Sequence, residues 1–300
     1  MTTAAAPTAP APTARRNGLL LVTLSAVMWS TGGLIVRILG SLDSWTVVFW
    51  RSVFAAAFLI IFMLARDGRR TGDLFRRMGR PGLIVAGCFA TASVALIVAL
   101  NLTSVADALI IMSSAPLVAA LLAWAVLGER PSMHAFLAIF ACMTGVAIMV
   151  SGAWGHGTIT GDLVALLIAL GYGIAIVTMR RHPDIRMTPA VFAGTGIAAL
   201  AVLPLAAPLS PTLPQLALLV VFGAFQLGLG LAIFVTGARL APAADVALIS
   251  TLEPILGPLW VWLVIGETPG LAALAGGAIV IAALIGYTIV TRRRQPCTTT

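Results

Sequence analysis

The chain has 300 residues, of which 60% are hydrophobic and 9% are charged. Soluble domains carry about 25% charged residues, so this composition excludes a soluble globular protein. The formal net charge is +8 and every basic residue is an arginine, but no basic run is combined with stacking aromatic residues. Nucleic acid is therefore not an expected partner.

The apolar residues are arranged in runs of roughly 20, the helix length that crosses about 30 Å of hydrocarbon. The Ala-, Pro- and Thr-rich segment 1–17 is predicted to be a disordered cytoplasmic tail, and residues 292–300 are predicted to be a second cytoplasmic tail. Between the tails we predict an all-α, polytopic membrane protein with ten transmembrane helices. These helices are predicted at residues 18–39, 45–65, 82–101, 105–127, 133–151, 161–180, 189–208, 214–236, 243–264 and 270–291.

The arginines predict the orientation in the membrane. Sixteen of the 18 lie in the tails or in the loops on the same side as the tails, and the loops on the opposite side contain none. Cytoplasmic loops are enriched in basic residues, so both termini are predicted to be cytoplasmic. We expect a multi-pass protein in the lipid bilayer of a bacterial inner membrane.

An internal repeat divides the chain. The stretch "DALIIMSSAPLVAALLAWAVLGERP", which begins at Asp107, aligns without a gap to "DVALISTLEPILGPLWVWLVIGETP", which begins at Asp245. The predicted halves, 18–151 and 152–291, contain five helices each. Because five is odd, the second half enters the membrane with the opposite orientation, and inverted repeats of this kind are typical of secondary transporters.

Three motifs carry a family resemblance: the repeated "P…LLAW…LGE.P" block, "MWSTGGLIVR" in the first predicted helix and "FWRSVFAA" in the second. With these motifs the chain resembles the drug/metabolite transporter superfamily, and within it the ten-helix EamA-like exporters. The resemblance implies export of small metabolites, often amino acids, through a central cavity. No cofactor is expected. Asp107 and Asp245 depart from the usual pattern, in which small residues are commoner there.

Glu253 is the leading candidate for a functional residue. It lies about 13–15 Å into its predicted helix, near the bilayer centre, where a carboxylate costs several kcal/mol unless it lines a cavity, has a partner or is protonated. The alternative is a protonated glutamate hydrogen-bonded to a neighbouring helix. Arg51 is the second charge within a predicted helix; it can bind a substrate carboxylate through its forked donors or extend toward the outer headgroups.

Further candidates are polar or aromatic side chains at similar depths. For each of them, packing between helices is the structural alternative. They are Ser113, Ser114, Ser250, Thr251, Gln226, Trp29 and Tyr172.

Other acidic residues have structural interpretations. Asp107 and Asp245 lie in the first turns of their helices and are interpreted as helix-capping residues. Glu129 and Glu267 precede prolines in tight turns and are expected to cap the helices that follow.

Several function classes are excluded or disfavoured. The absence of lysine excludes a phosphate-binding P-loop and a lysine Schiff base, and no metal-ligand spacing or hydrolase motif is present. We therefore predict no catalytic residues and no metal, but a secondary transporter of small molecules that works by alternating access. The alternatives are a channel, a non-transporting scaffold or, least favoured, an intramembrane enzyme that uses Glu253.

Overall fold

The computed structural model describes residues 12–40, 42–102, 108, 111–149, 151, 158–266 and 270–293. Within them all regular secondary structure is helical. The first half contains α1 (Pro12–Ser30), α2 (Gly32–Leu39), α3 (Ser44–Asp67), α4 (Thr71–Leu102), α5 (Ala115–Leu127) and α6 (Met133–Met149). The second contains α7 (Ile159–Arg181), α8 (Thr188–Val202), α9 (Leu213–Val220), a π-helix (Val221–Leu229), α10 (Gly230–Gly237), α11 (Ala243–Ser250), α12 (Leu252–Ile265) and α13 (Leu271–Arg293).

The helices confirm an all-α, polytopic membrane protein. Five helical stretches among the described residues are long and apolar enough to cross a membrane, and one of them, Ser44–Leu96, joins α3 to α4. Shorter apolar helices of 10–17 residues accompany them. The number of ten transmembrane helices stays a prediction. Helix α1 begins at Pro12, so residues 12–17, predicted to be part of the tail, are helical.

The packing of the helices follows a two-fold pattern. Helix α4 of the first half packs against α7 and α8 of the second half. Correspondingly, α10 of the second half packs against α1 of the first half, and the π-helix packs against α3. Likewise α5 packs against α7, and α11 and α12 pack against α1. Two further contacts, α3 with α8 and α6 with α13, pair equivalent helices of the two halves, and α5 also packs against α11. The main contacts of one half therefore have counterparts in the other, as expected for two repeats related by a two-fold axis.

These contacts define two interleaved groups. We call α4, α5 and α7 the first bundle, and α1, α10, α11 and α12 the second bundle; each contains helices from both halves of the chain. An ion pair supports each bundle. Arg180 Nε lies 2.9 Å from Glu129 Oε1 in the first, and Arg15 Nη2 lies 2.6 Å from Asp245 Oδ2 in the second.

The helices break at hydroxyl residues. Thr31, Ser114 and Thr251 each donate a side-chain hydrogen bond to the backbone carbonyl three residues earlier, at 2.6–2.7 Å. Such bonds compete with the helical backbone pattern. In the repeat alignment Thr251 corresponds to Ser113, the neighbour of Ser114. A proline follows each of these two breaks within three residues: Pro116 after Ser114 and Pro254 after Thr251. Proline has no N–H to donate, so each break lies beside a backbone carbonyl that the helix leaves without its usual donor.

Candidate functional site

Glu253 lies in the first turn of α12, immediately after the break at Thr251. Its side chain keeps a large accessible surface although it lies deep within the bundle. We infer that the side chain projects into a space between the helices, because a side chain packed between helices would be covered and one at the outer surface would not be surrounded by protein. The carboxylate interacts electrostatically with Arg51 and Tyr172.

Arg51 projects from α3 toward the same region. Its guanidinium carbon lies 4.9 Å from the centroid of the Phe222 ring, which is a cation–π contact. Its Nε is buried and has no hydrogen-bond partner among the described residues. Helix α3 and the π-helix approach each other closely beside Arg51. A Cβ added to Gly223 would lie 2.6 Å from the Arg51 carbonyl oxygen, so a glycine at this position permits the close contact between the two helices.

Tyr172 connects the two bundles beside Glu253. Its hydroxyl group on α7 donates a hydrogen bond of 2.8 Å to Ser250 Oγ at the end of α11, and Ser250 Oγ donates in turn to the Val246 carbonyl. The Tyr172 ring stacks on Phe234 of α10 with a centroid distance of 5.7 Å. The first and second bundles are thus in direct contact at the level of the candidate site.

Gln226 lies in the π-helix and is buried. Its Nε2 donates to the Trp29 carbonyl at 2.8 Å, while its Oε1 is buried without a hydrogen-bond partner in the described part of the chain. Trp29 packs on Phe234 at 5.0 Å, and its Nε1 is likewise buried and unpartnered there. π-Helices are rare, and they occur frequently at functional sites.

Six of the predicted site residues therefore come together: Trp29, Arg51, Tyr172, Gln226, Ser250 and Glu253. Their surroundings are largely aromatic, and the group contains one anion, one cation, a free amide oxygen and a free indole N–H. Buried polar groups normally have hydrogen-bond partners, and the Trp29, Arg51 and Gln226 atoms without one among the described residues are covered in this conformation, so only a rearrangement of the helices would bring them into contact with a ligand beside the accessible Glu253 carboxylate.

The three remaining candidates lie elsewhere. Thr251 is buried and points toward α6, with its Oγ1 3.8 Å from Cys142 Sγ. Ser113 is buried at the break before α5, and the Ser114 hydroxyl is bonded to its own backbone. Their role in binding stays a prediction.

Two acidic residues have partners that the sequence interpretation missed. Asp245 was expected to cap its own helix, but it accepts hydrogen bonds from Arg15 and from the Tyr287 hydroxyl. Glu129 was expected to cap the helix after it; instead it pairs with the buried Arg180, while Ser132 accepts the hydrogen bond from the Ala135 N–H. Both acids connect the two halves of the chain. Asp107 and Glu267, their repeat-related counterparts, lie outside the described residues.

One contact near the site gave no signal in the sequence. Trp260 Nε1 donates to Ser30 Oγ at 2.8 Å and so fixes α12 against the break between α1 and α2. No group of three or more His, Cys, Asp or Glu side chains that could hold a metal ion is found among the described residues.

The fold is that of a helical membrane protein with two repeats. The sequence profile of the EamA-like transporter family matches residues 16–151 and again residues 159–289. The chain therefore belongs to the EamA-like transporter family.

Individual proteins agree with this assignment. An uncharacterized transporter of Archaeoglobus fulgidus is 26% identical over 284 residues, which covers 90% of this chain and 96% of the relative. Solute carrier family 35 member G1 of Homo sapiens is 26% identical over 293 residues, or 91% of this chain and 79% of the relative. A crystal structure with 19% sequence identity superposes with a TM-score of 0.79 and covers 92% of this chain and 98% of its own; it supports the fold.

Proposed function

We propose that this transporter is a secondary exporter of small dipolar metabolites, amino acids in particular, that works by alternating access in a bacterial inner membrane. Family membership supports transport and a small-molecule substrate. The substrate class and the mechanism rest on the site itself, together with the substrates that the family resemblance implies.

The observation that carries the proposal is the opposed pair of charges in the cavity. Arg51 has a buried Nε without a partner, and Glu253 presents an accessible carboxylate within electrostatic range. An α-amino acid carries the complementary charges on adjacent groups: its carboxylate fits the forked donors of arginine and its ammonium group fits a carboxylate. A ligand that pairs both charges lowers the cost of holding them inside a membrane protein.

The aromatic residues suit an amphipathic ligand. Trp29 and Tyr172 are half-buried, and both pack on Phe234, which is fully buried behind them. The unpartnered Gln226 Oε1 and Trp29 Nε1 add one acceptor and one donor. Such a site orients a molecule with a polar end and an apolar end.

Alternating access requires the two bundles to move apart on one side at a time. In the predicted orientation α11 enters from the cytoplasm, so Ser250 lies one turn closer to the cytoplasm than Glu253. The Tyr172–Ser250 hydrogen bond therefore closes the cavity on its cytoplasmic side. Substrate entry from the cytoplasm requires this bond to break.

The direct test uses purified protein in liposomes and a panel of labelled amino acids. We expect saturable uptake and counterflow without ATP, because a carrier exchanges labelled for unlabelled substrate. Linear, non-saturating flux would favour a channel, and no flux with any amino acid would contradict the substrate class. Empty liposomes and liposomes with the Arg51→Gln variant are the controls.

A further inference from the structure

A second surface of the molecule carries an inference that does not depend on the transported substrate. Between the end of α3 and the membrane-crossing part of α4, six arginines occur within fifteen residues, and all six side chains are exposed. We call them the arginine surface. They are Arg66, Arg69, Arg70, Arg76, Arg77 and Arg80.

The backbone of this segment is built to present those side chains. A 3-10 turn, Gly68–Arg70, leads into the first eight residues of α4, and this short helix is set off from the rest of α4 at Gly79, where φ is 49° and ψ is −153°. Such a positive φ is readily available to glycine alone. The break separates the short helix from the apolar part of α4, which continues from Pro81.

The short helix is amphipathic. Thr71, Leu74, Phe75 and Met78 follow helical spacing and are buried or half-buried. Phe75 makes an edge-to-face contact with Phe192 of α8, at a centroid distance of 5.6 Å. The apolar face is therefore occupied by the protein, and the arginine face is turned outward.

Little negative charge within the protein balances this surface. The segment contains two acidic residues, and one of them, Asp67, is paired with Arg186 at 2.6 Å. Two more cations, Arg186 and Arg239, lie close by. Burial lowers the pKa of Arg239, and its interactions with the charges of Arg186 and Arg66 lower it further, against the opposing effect of Asp184. Like charges gathered in this way repel one another unless an external anion lies among them.

We propose that the arginine surface binds the headgroups of anionic phospholipids in the leaflet that it faces. The segment is joined at both ends to membrane-crossing helices, which holds it at the level of the lipid phosphates. Arginine pairs with phosphate through two parallel hydrogen bonds, and clusters of four to eight basic residues directly beside a transmembrane helix are typical of anionic-lipid binding.

The test compares lipids of different charge on the full-length protein in detergent. Phosphatidylglycerol or phosphatidylcholine is added at increasing mole fraction, and the thermal unfolding midpoint is followed by tryptophan fluorescence. We expect phosphatidylglycerol to raise the midpoint at lower mole fraction than phosphatidylcholine, and high salt to weaken the effect. Equal effects of the two lipids would overturn the proposal.

Matched variants locate the binding surface. Each basic residue near an anionic membrane contributes about fivefold in affinity, so Arg76→Gln with Arg77→Gln should raise the half-effective mole fraction of phosphatidylglycerol about 25-fold. Arg76→Lys with Arg77→Lys keeps the charge and should retain most of the effect. Arg16→Gln with Arg130→Gln removes two exposed arginines that do not belong to the arginine surface; because they are not neighbours in a cluster, this pair should raise the half-effective mole fraction less than the Arg76 and Arg77 pair does.

Other outcomes would reassign or reject the surface. If the Arg76 and Arg77 glutamine variant responds to phosphatidylglycerol like the native protein, the lipid binds elsewhere. If inorganic phosphate or polyglutamate stabilises the native protein as strongly as phosphatidylglycerol does, the surface binds soluble anions or acidic peptides, and the lipid proposal fails.

Discussion

At the scale of residues, the site combines opposite charges that do not satisfy each other. Arg51 and Glu253 interact electrostatically, yet no ion pair between them is among the salt bridges of the described residues, and Arg51 Nε remains without a hydrogen-bond partner. Two charges held apart in this way leave room for a ligand between them, whereas a closed ion pair would exclude it. This separation supports the proposed binding site over a structural salt bridge.

Because Arg51 and Glu253 are expected to bind different groups of the ligand, their roles can be tested by changing the ligand together with the protein. Arg51→Gln should weaken binding of an amino acid by about tenfold or more, because hydrogen bonds to charged groups contribute about 1.5–3 kcal/mol. The same variant should hardly affect the binding of the corresponding primary amine, which is the amino acid without its carboxylate, since this ligand has no group that pairs with Arg51. Glu253→Gln should weaken both ligands, since both carry the ammonium group that pairs with Glu253. Competition against a labelled amino acid in proteoliposomes measures all four cases.

The control for that experiment is Glu253→Asp, which keeps the charge and should retain more affinity than Glu253→Gln. Thermal unfolding of each variant shows whether the fold is intact. If Arg51→Gln weakens the amine as much as the amino acid, Arg51 does not contact the carboxylate and has a structural role.

At the scale of elements, the position of Arg51 depends on how closely α3 approaches the π-helix. A Cβ on Gly223 would lie 2.5 Å from Phe54 Cβ and 2.6 Å from the Arg51 carbonyl oxygen, so a side chain there requires the two helices to move apart. The glycines of the "VFGAFQLGL" sequence thus determine where a charge from α3 lies relative to Gln226 of the π-helix.

We therefore expect Gly223→Ala to destabilise the protein by about 1–3 kcal/mol, the usual effect of overpacking, and to weaken substrate binding by displacing Arg51. The matched control is Gly196→Ala in α8, because no atom lies within 4 Å of the Cβ that it would add. The control should be neutral or slightly stabilising, since alanine favours a helix. Thermal unfolding and substrate affinity are measured for both variants; equal behaviour would contradict close packing at Gly223.

The sequence predicted the elements better than the site. Apolar runs of membrane length and the repeated letters around Pro116 and Pro254 were sufficient to predict an all-α membrane protein with two repeats, because both are local patterns; the number of ten helices and the bounds of the halves stay predictions. The π-helix was not predicted, since its sequence is also typical of an ordinary apolar helix. The Arg15–Asp245 and Glu129–Arg180 pairs were missed for a related reason: a first-turn or turn carboxylate looks like a helix cap until the partner helix is in place.

For the site, depth alone identified Glu253, because an acid at the centre of an apolar run is costly wherever its helix packs. Its proximity to Arg51, Tyr172 and Gln226 depends on tertiary contacts between helices far apart in sequence. Ser113 and Thr251 share depth and repeat position with the site residues, but depth does not specify the direction of a side chain, and Thr251 faces Cys142.

At the scale of the whole molecule, the two bundles meet at Tyr172. Its hydroxyl group bonds Ser250 of the second bundle and its ring stacks on Phe234. The ion pairs Arg15–Asp245 and Glu129–Arg180 lie within the bundles, so they are expected to stay intact while the bundles move. The Tyr172–Ser250 bond, in contrast, crosses between the bundles.

Tyr172→Phe should therefore shift the equilibrium between states without disrupting the fold. It removes one hydrogen bond, which contributes about 1 kcal/mol, and keeps the stacked ring, so the expected change is about fivefold toward the cytoplasm-open state. Spin labels at Arg16 and Arg130, at the ends of the second and first bundles, report the change as a larger population of long distances. Ser250→Ala should give the same shift. An unchanged distance distribution in both variants would show that this bond does not control opening.

The side of the membrane on which this opening occurs depends on the orientation, which the arginine distribution predicts and labelling can test. Gly72 is exposed in the arginine-rich segment, and Gly155 falls in a predicted outer loop outside the described residues. In a background with Cys88, Cys142 and Cys297 replaced, Gly155→Cys should react with an impermeant thiol reagent in intact cells. Gly72→Cys should react only after the membrane is opened, because the positive-inside rule places its loop in the cytoplasm. Reversed labelling would place Ser250 on the outer side of Glu253, so that the Tyr172–Ser250 bond would close the cavity toward the outside.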